Sequence, residues 1–317
     1  MDSTNTPPRN IPQLDPASSR LFSWKHLALG ILAVVMGWTF NYLHTHPAES
    51  KELQDWVFSK LWSHMSQVNS RRIEEFRKPM WSKVQGKVLE IGVGHGEALM
   101  LLPHSGSQGQ LQVQGIHSYV AVEPNAFLHP RLAQTAAKAG FAVKYDPETC
   151  PDAARASSTA SNKDLPELTI VNGTLDQAPA HIPGYIRSHG PYDYAIASMV
   201  LCSVDNVRAN LHAIQDLLAP GGKFIFIEHV HHTDSSDTTV NSQYTPGSLN
   251  LVLWKTVQSV LTPVWKAGTG NCHLNRDTGR LIREMGGWSK VDIQTHRGSD
   301  GIIEKLTPLT YGIAVKE

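Results

Sequence analysis

Downstream of residue 85, short apolar runs alternate with stretches whose apolar residues recur every three or four positions. KVLEI (87–91), YVAV (119–122), LTIV (168–171), YDYAIAS (192–198) and KFIFIE (223–228) are four to seven residues long, and all but the second are flanked on at least one side by Gly, Pro or Asn. Near-continuous apolar runs of this kind predict strands buried on both faces of a parallel sheet. Between them, residues 125–140 predict a helix opened by Pro124 and closed by Gly140. Val207, Leu211, Ile214, Leu217 and Leu218 form one face of a second helix, ahead of a Pro-Gly-Gly turn at 220–222. Strand and helix in alternation predict an α/β, doubly wound sheet.

The amino-terminal pattern is different. In residues 1–23, Pro7, Pro8, Pro12 and Pro16 stand too close together for a helix and the rest is small and polar, which predicts a disordered tail. Residues 24–46, WKHLALGILAVVMGWTFNYLHTH, carry only Thr39 and Asn41 as polar residues over 27–43. That apolar length is about the minimum of ~17 residues for a membrane crossing, and Trp24, Trp38 and Tyr42 suit interfacial positions. A single-pass membrane anchor is the preferred reading. A cleaved signal peptide would need a shorter charged start and a small-residue cleavage site, and a helix of the domain itself is the remaining alternative. Basic residues flank the segment about equally, so charge leaves its orientation open. Over 47–84 Leu53, Trp56, Val57, Lys60 and Leu61 follow helical spacing, with Arg71, Arg72, Glu74 and Glu75 on a charged face. This predicts a pair of helices packed on the main domain, 85–317, or a lid over its site that also touches the membrane. Residues 146–166 are small, polar and low in complexity, and predict a flexible surface insertion.

Charge and cysteine content narrow the chemistry. Basic and acidic residues balance at 28 each, so no overall field draws the chain to nucleic acid. Cys150, Cys202 and Cys272 are widely spaced with no CxxC pair, which suggests neither a disulfide framework nor a zinc cluster; no metal is expected.

The stretch EIGVGHGEA (90–98) joins the first strand to a helix beginning at 97–102 through glycines at 92, 94 and 96. Such a turn brings backbone amides against a ligand. A dinucleotide fingerprint would need glycine at position 97, where Glu97 stands, so NAD and FAD are excluded. Glu123 ends the second strand about thirty residues on, where a carboxylate accepts hydrogen bonds from both hydroxyls of a ribose. Together they point to a nucleoside ligand. His95, at the apex of the turn, is read as facing solvent.

The GxGxG form preceded by Glu90 resembles motif I of class I methyltransferases, whose ligand is S-adenosylmethionine (SAM). MVLCSVDN (199–206) with LLAPGGKFIFIEHV (217–230), and later GTGNCHLNRDTGRLIREMGGWSKVDIQ and LTPLTYGIAVKE, resembles the membrane-anchored thiol methyltransferases of the methyltransferase-like family and, more broadly, quinone-biosynthesis methyltransferases. The resemblance implies a seven-stranded Rossmann-like sheet with an amino-terminal membrane helix, and SAM as cofactor. It implies cofactor contacts by Glu90 (to the ammonium), Gly92, Gly94, Gly96, Glu123, Thr174, Leu175, Asp176, Ser198 and Met199.

It also implies methyl transfer to a small lipophilic acceptor, most simply a thiol. An O- or C-methyltransferase acting on a phenol or quinone, and a SAM-binding assembly factor without catalysis, are the alternatives. A thiol already ionises partly near neutral pH and a nearby imidazole increases that fraction. Among His229, His231, His232 and His273, His229 is preferred as the catalytic group because it follows the fifth strand, at the ligand-binding edge of such sheets. Cys202 is read as lining the pocket, and the apolar residues 250–264 as a cap helix over a greasy acceptor site or as ordinary core. Because SAM is made in the cytosol, the catalytic domain is expected to face it, from the endoplasmic reticulum or a lipid droplet.

Overall fold

The computed structural model describes residues 45–106, 111–156, 164–175, 182–232, 249–296 and 301–317. The tail expected over 1–23 and all but the last two residues of the anchor expected over 24–46 lie outside the described residues. Among the described residues no helix is long and apolar enough to cross a membrane. Met1–Gln54 and Asp55–Glu317 are separate compact units.

The larger unit is built on one sheet of β1 (Gly86–Ile91), β2 (Ile116–Val122), β3 (Ala142–Tyr145), β4 (Glu167–Val171), β5 (Tyr192–Ser198), β6 (Leu218–His229), β7 (Trp288–His296) and β8 (Leu309–Lys316). Their order is β3-β4-β2-β1-β5-β6-β8-β7. Neighbours from β3 to β6 are parallel, and β8 runs antiparallel to both β6 and β7. The sheet therefore has eight strands, not the expected seven. The extra one is β3, whose four residues, three half-buried and one exposed, are too few to show a period of two and which becomes a strand by pairing along β4.

Because successive side chains point to opposite faces, the apolar runs fill two cores. Val88, Ala121, Ile170, Ile196 and Ile225 enter one, closed by Trp81, Leu132 and Ala136. Leu89, Val120, Val171, Ala195 and Phe224 enter the other, under Leu211 and Ile214. Each fully buried side chain of this size contributes about 1.5–3 kcal/mol of transfer free energy.

The helices used below are α1 (Pro47–Trp81), α2 (His129–Lys138), α3 (Val207–Leu217), α4 (Leu249–Gly268), α5 (Thr278–Glu284) and α6 (Ile302–Leu306), with short helices at Pro151–Ala156 and Gly184–His189 besides. Four expectations change here. The segment read as a pair of helices is one helix, since neither Gly nor Pro interrupts residues 48–78. Its stripe of Trp56, Val57 and Leu61, read as a packing face, is exposed. In α4 most of the apolar residues do not form a buried greasy cap: Gln258 is buried beside Leu251 and donates to the Val230 and Leu306 carbonyls, while Val252, Leu253, Val260 and Val264 are exposed. The start of the expected insertion is ordered, with buried Asp146 accepting from Thr149 and buried Cys150 opening a short helix, Pro151–Ala156; residues 157–163 lie outside the described residues.

Candidate active site

Strand order reverses at β1, with β2 on one side and β5 on the other, so the loops leaving β1 and β5 diverge and open a crevice at the carboxyl edge. In the first loop Gly92, Gly94 and Gly96 have φ of 63°, 62° and 76°. L-residues rarely adopt these angles, and all three positions are also crowded, Gly96 by Leu132 Cδ1, which a Cβ would meet at 2.8 Å. A Cβ on Gly92 would stand 2.3 Å from Val200 Cγ2, and one on Gly94 would stand 3.0 Å from Trp62 Nε1. Glu97–Leu101 is a single 3-10 turn, not the start of a longer helix.

Glu123 holds this loop against β2. Its buried carboxylate accepts from the Gly94 amide at 2.9 Å and from the Asn125 amide at 3.0 Å. Burial raises its pKa, and the two amides oppose the rise. Each oxygen keeps lone-pair capacity for a further donor, as the ribose reading requires. Glu90 is buried too, accepts from the Tyr119 hydroxyl and faces the Arg77 guanidinium; burial raises its pKa to about 7 against those two partners. His95 is not at a solvent-facing apex: it is buried, with Nδ1 3.6 Å from Glu97 Oε1.

Two residues of α1 reach the site and went unnoticed in the sequence. Trp62 lies against Gly94, its indole nitrogen buried and with no hydrogen-bond partner among the described residues. Buried Arg77 donates from Nη2 to Ser198 Oγ at 2.7 Å, at the end of β5. Their positions 32 and 13 residues before Gly94 and Glu90 gave no local signal. Of the other expected cofactor contacts, half-buried Met199 follows Ser198 with φ 60°, Thr174 is half-buried, Leu175 is buried and Asp176 lies outside the described residues.

The loop after β5 is clamped from the neighbouring strand. Glu228 Oε1 accepts from the Val200 and Leu201 amides at 3.1 and 2.9 Å, and Oε2 accepts from Cys202 N at 3.2 Å. Burial nevertheless raises the Glu228 pKa to about 7. His229, the next residue, is buried with Nε2 2.9 Å from Cys272 Sγ. Cys202, expected simply to line the pocket, stands beside both. Its proximity and then the imidazole pull the Cys272 thiol below its usual pKa, while the Cys202 thiol is pushed up by Cys272 and by burial. Burial lowers the His229 pKa, but Cys272 outweighs it and the net direction is upward. Among the other candidate histidines, His273 donates from Nδ1 to the Cys202 carbonyl (3.2 Å) and His232 from Nε2 to that of Lys305 (2.7 Å).

The registers place these groups at one edge. Ile91 of β1 is level with Ala197 of β5, and Ser198 with Ile227 of β6. With two strand spacings of about 4.8 Å, the strands that lead to the glycine loop and to His229 lie about 10 Å apart.

Residues 61–255, more than half of the chain, match the model of the methyltransferase domain family. The chain belongs to that family. SAM is the cofactor of this methyltransferase domain, and the residues fit it: a loop that cannot carry Cβ atoms, a buried carboxylate beside it and an unpaired indole N–H above it. The chain is 34% identical to thiol S-methyltransferase TMT1B of Rattus norvegicus over 102 residues, 32% of this chain and 35% of the relative. It is 32% identical to thiol S-methyltransferase TMT1A of Homo sapiens over 127 residues, 40% of this chain and 45% of the relative. It thus spans less than half the length of the curated relatives it matches. The solved structure of a SAM-dependent methyltransferase from Thermotoga maritima, described as a possible histamine N-methyltransferase, aligns with TM-score 0.44 and 14% identity, over 83% of this chain and 100% of that one.

Proposed function

We propose that this methyltransferase acts on small lipophilic thiols at a membrane surface. The observation that carries the reading is the buried His229–Cys272 pair at the same sheet edge as the glycine loop, about two strands away. SAM supplies an electrophilic methyl group on a sulfonium, for which a thiolate is the matching soft nucleophile. Gly92, Gly94 and Gly96 admit the cofactor close to the backbone, Glu90 meets its ammonium, Glu123 accepts from the ribose, and Thr174, Leu175, Ser198 and Met199 line the rest. Trp62 closes the loop from above and excludes water. His229 is the catalytic group that favours the acceptor's thiolate. Relatives named as thiol S-methyltransferases support the acceptor class.

The apolar segment 24–46 anchors the chain to the endoplasmic reticulum or a lipid droplet with the domain toward the cytosol. The exposed apolar faces of α1 and α4 support a membrane-side position. A lipophilic thiol and its phenol counterpart, offered together with labelled SAM to the purified protein, test the acceptor class. Labelled thioether is expected, and methylation of the phenol alone overturns the reading.

A further inference from the structure

Cys202, His229 and Cys272 come from three separate segments: the loop after β5, the end of β6 and the turn after α4. One potential ligand atom from each lies within 4.8 Å of the others, and all three side chains are buried. We propose that Cys202 Sγ, Cys272 Sγ and His229 Nε2 bind a soft divalent cation, zinc(II), whose fourth tetrahedral position takes the sulfur of the acceptor thiol.

Donor type, distance and charge support this. Two sulfurs and an imidazole are the soft and borderline ligands zinc prefers, and three protein ligands with one open position are the arrangement of catalytic rather than structural sites. With zinc–sulfur bonds of about 2.3 Å and zinc–nitrogen bonds of about 2.0–2.1 Å, a tetrahedron spaces sulfur from sulfur by about 3.8 Å and sulfur from nitrogen by about 3.6 Å. The observed grouping within 4.8 Å brackets these spacings, and the 2.9 Å contact between Cys272 and His229 need open by only about 0.7 Å. Two thiolates cancel the charge of the cation, so the buried site is neutral once the cation is bound and carries one negative charge only while the acceptor thiolate occupies the fourth position.

The surroundings hold the ligands in place. Trp265 Nε1 donates to Cys272 Sγ at 3.2 Å, and Glu228 fixes the backbone amide of Cys202. Arg276 Nη1 donates to the Leu201 and Val204 carbonyls at 2.9 and 2.6 Å, bracing the same loop.

An acceptor thiol entering the open position forms a sulfur–zinc bond and releases its S–H proton to water, so it is held as thiolate without a separate base. His229 then acts through the cation. This role rests on the thiol reading above, whereas the cation site stands by itself.

The test uses the full-length chain in detergent, stripped of metal and titrated with zinc(II) against a chromophoric chelator. One zinc per chain is expected, with Cys272→Ser weakening binding at least tenfold and Cys150→Ser, at a buried cysteine outside the cluster, leaving it unchanged. Cobalt(II) in the wild-type chain should show a thiolate-to-metal charge-transfer band, a readout that survives if a variant fails to fold. No uptake of either metal, or cobalt bound without that band, overturns the site. So does a Cys202–Cys272 disulfide that forms equally fast with and without zinc. Zinc uptake by a protein that methylates only phenols overturns the thiol reading and leaves the site standing; undiminished thiol methylation by the metal-free chain overturns the coordinating role.

Discussion

Replacing Gly92 by alanine probes how the glycine loop after β1 is joined to the loop after β5 across the crevice. The added Cβ would lie 2.3 Å from Val200 Cγ2 and 2.5 Å from Val200 Cβ, against a normal carbon–carbon separation of about 3.5–4.0 Å. The left-handed φ of 63° costs alanine about 1–2 kcal/mol, and relieving the overlap about 1–3 kcal/mol more. The sum, about 2–5 kcal/mol, is smaller than the 5–15 kcal/mol that holds a typical domain together. The variant should therefore fold, with Val200 displaced by about 1 Å and, through the Glu228 clamp, Cys202 moved with it. Gly221 is the control: its φ of 74° imposes the same strain, but a Cβ there meets nothing within 4 Å. Thermal denaturation and SAM calorimetry on both variants separate the two contributions. Gly92→Ala should be the less stable by the overlap energy and should lose SAM affinity at least tenfold, while Gly221→Ala keeps it. Equal destabilisation of the two, or unchanged SAM affinity in Gly92→Ala, would refute the close packing of Gly92 on Val200.

Arg77→Ala should lower stability by about 3–5 kcal/mol in denaturant unfolding, because it leaves Ser198 and Glu90 facing a buried gap where a guanidinium stood; a loss below about 1 kcal/mol would count against the pairing. Burial raises the folded-state pKa of Glu90 from 4.5 to about 7, so the native state binds the extra proton and the favourable contribution, complete below pH 4.5, is lost as pH rises to about 7. Glu90→Gln removes this ionisation, so its stability relative to wild type should improve between about pH 5 and pH 8; a pH-independent difference contradicts the assignment. Deleting residues 1–46 should move the protein from the membrane pellet to the supernatant while SAM affinity is retained, and a truncated chain that stays in the pellet refutes the anchor.

Local chemistry was enough for some of these features. Glu97 in the third-glycine position, the glycines at 92, 94 and 96, and Glu123 closing an apolar run are read from neighbours in sequence, because a tight turn and a buried strand impose their demands on adjacent residues. The strand Tyr192–Ser198 and the helix beginning at Val207 were legible for the same reason. Helical periodicity also revealed α1 and α4, but periodicity says only that one face differs from the other. It does not say which face meets protein, and in α4 the buried positions proved to include the polar Gln258 and Thr262 beside Leu251, while most of the valines face outward.

What the sequence determined by itself was the α/β class, the parallel strands and the glycine turn after the first of them, since each is set by interactions among residues close along the chain. The tertiary structure alone decided which distant groups share a site. Arg77 meets Ser198 across 121 residues and His229 meets Cys272 across 43, and no spacing rule encodes such pairs. They exist because the parallel sheet returns each strand to the same edge, where loops remote in sequence converge on one crevice.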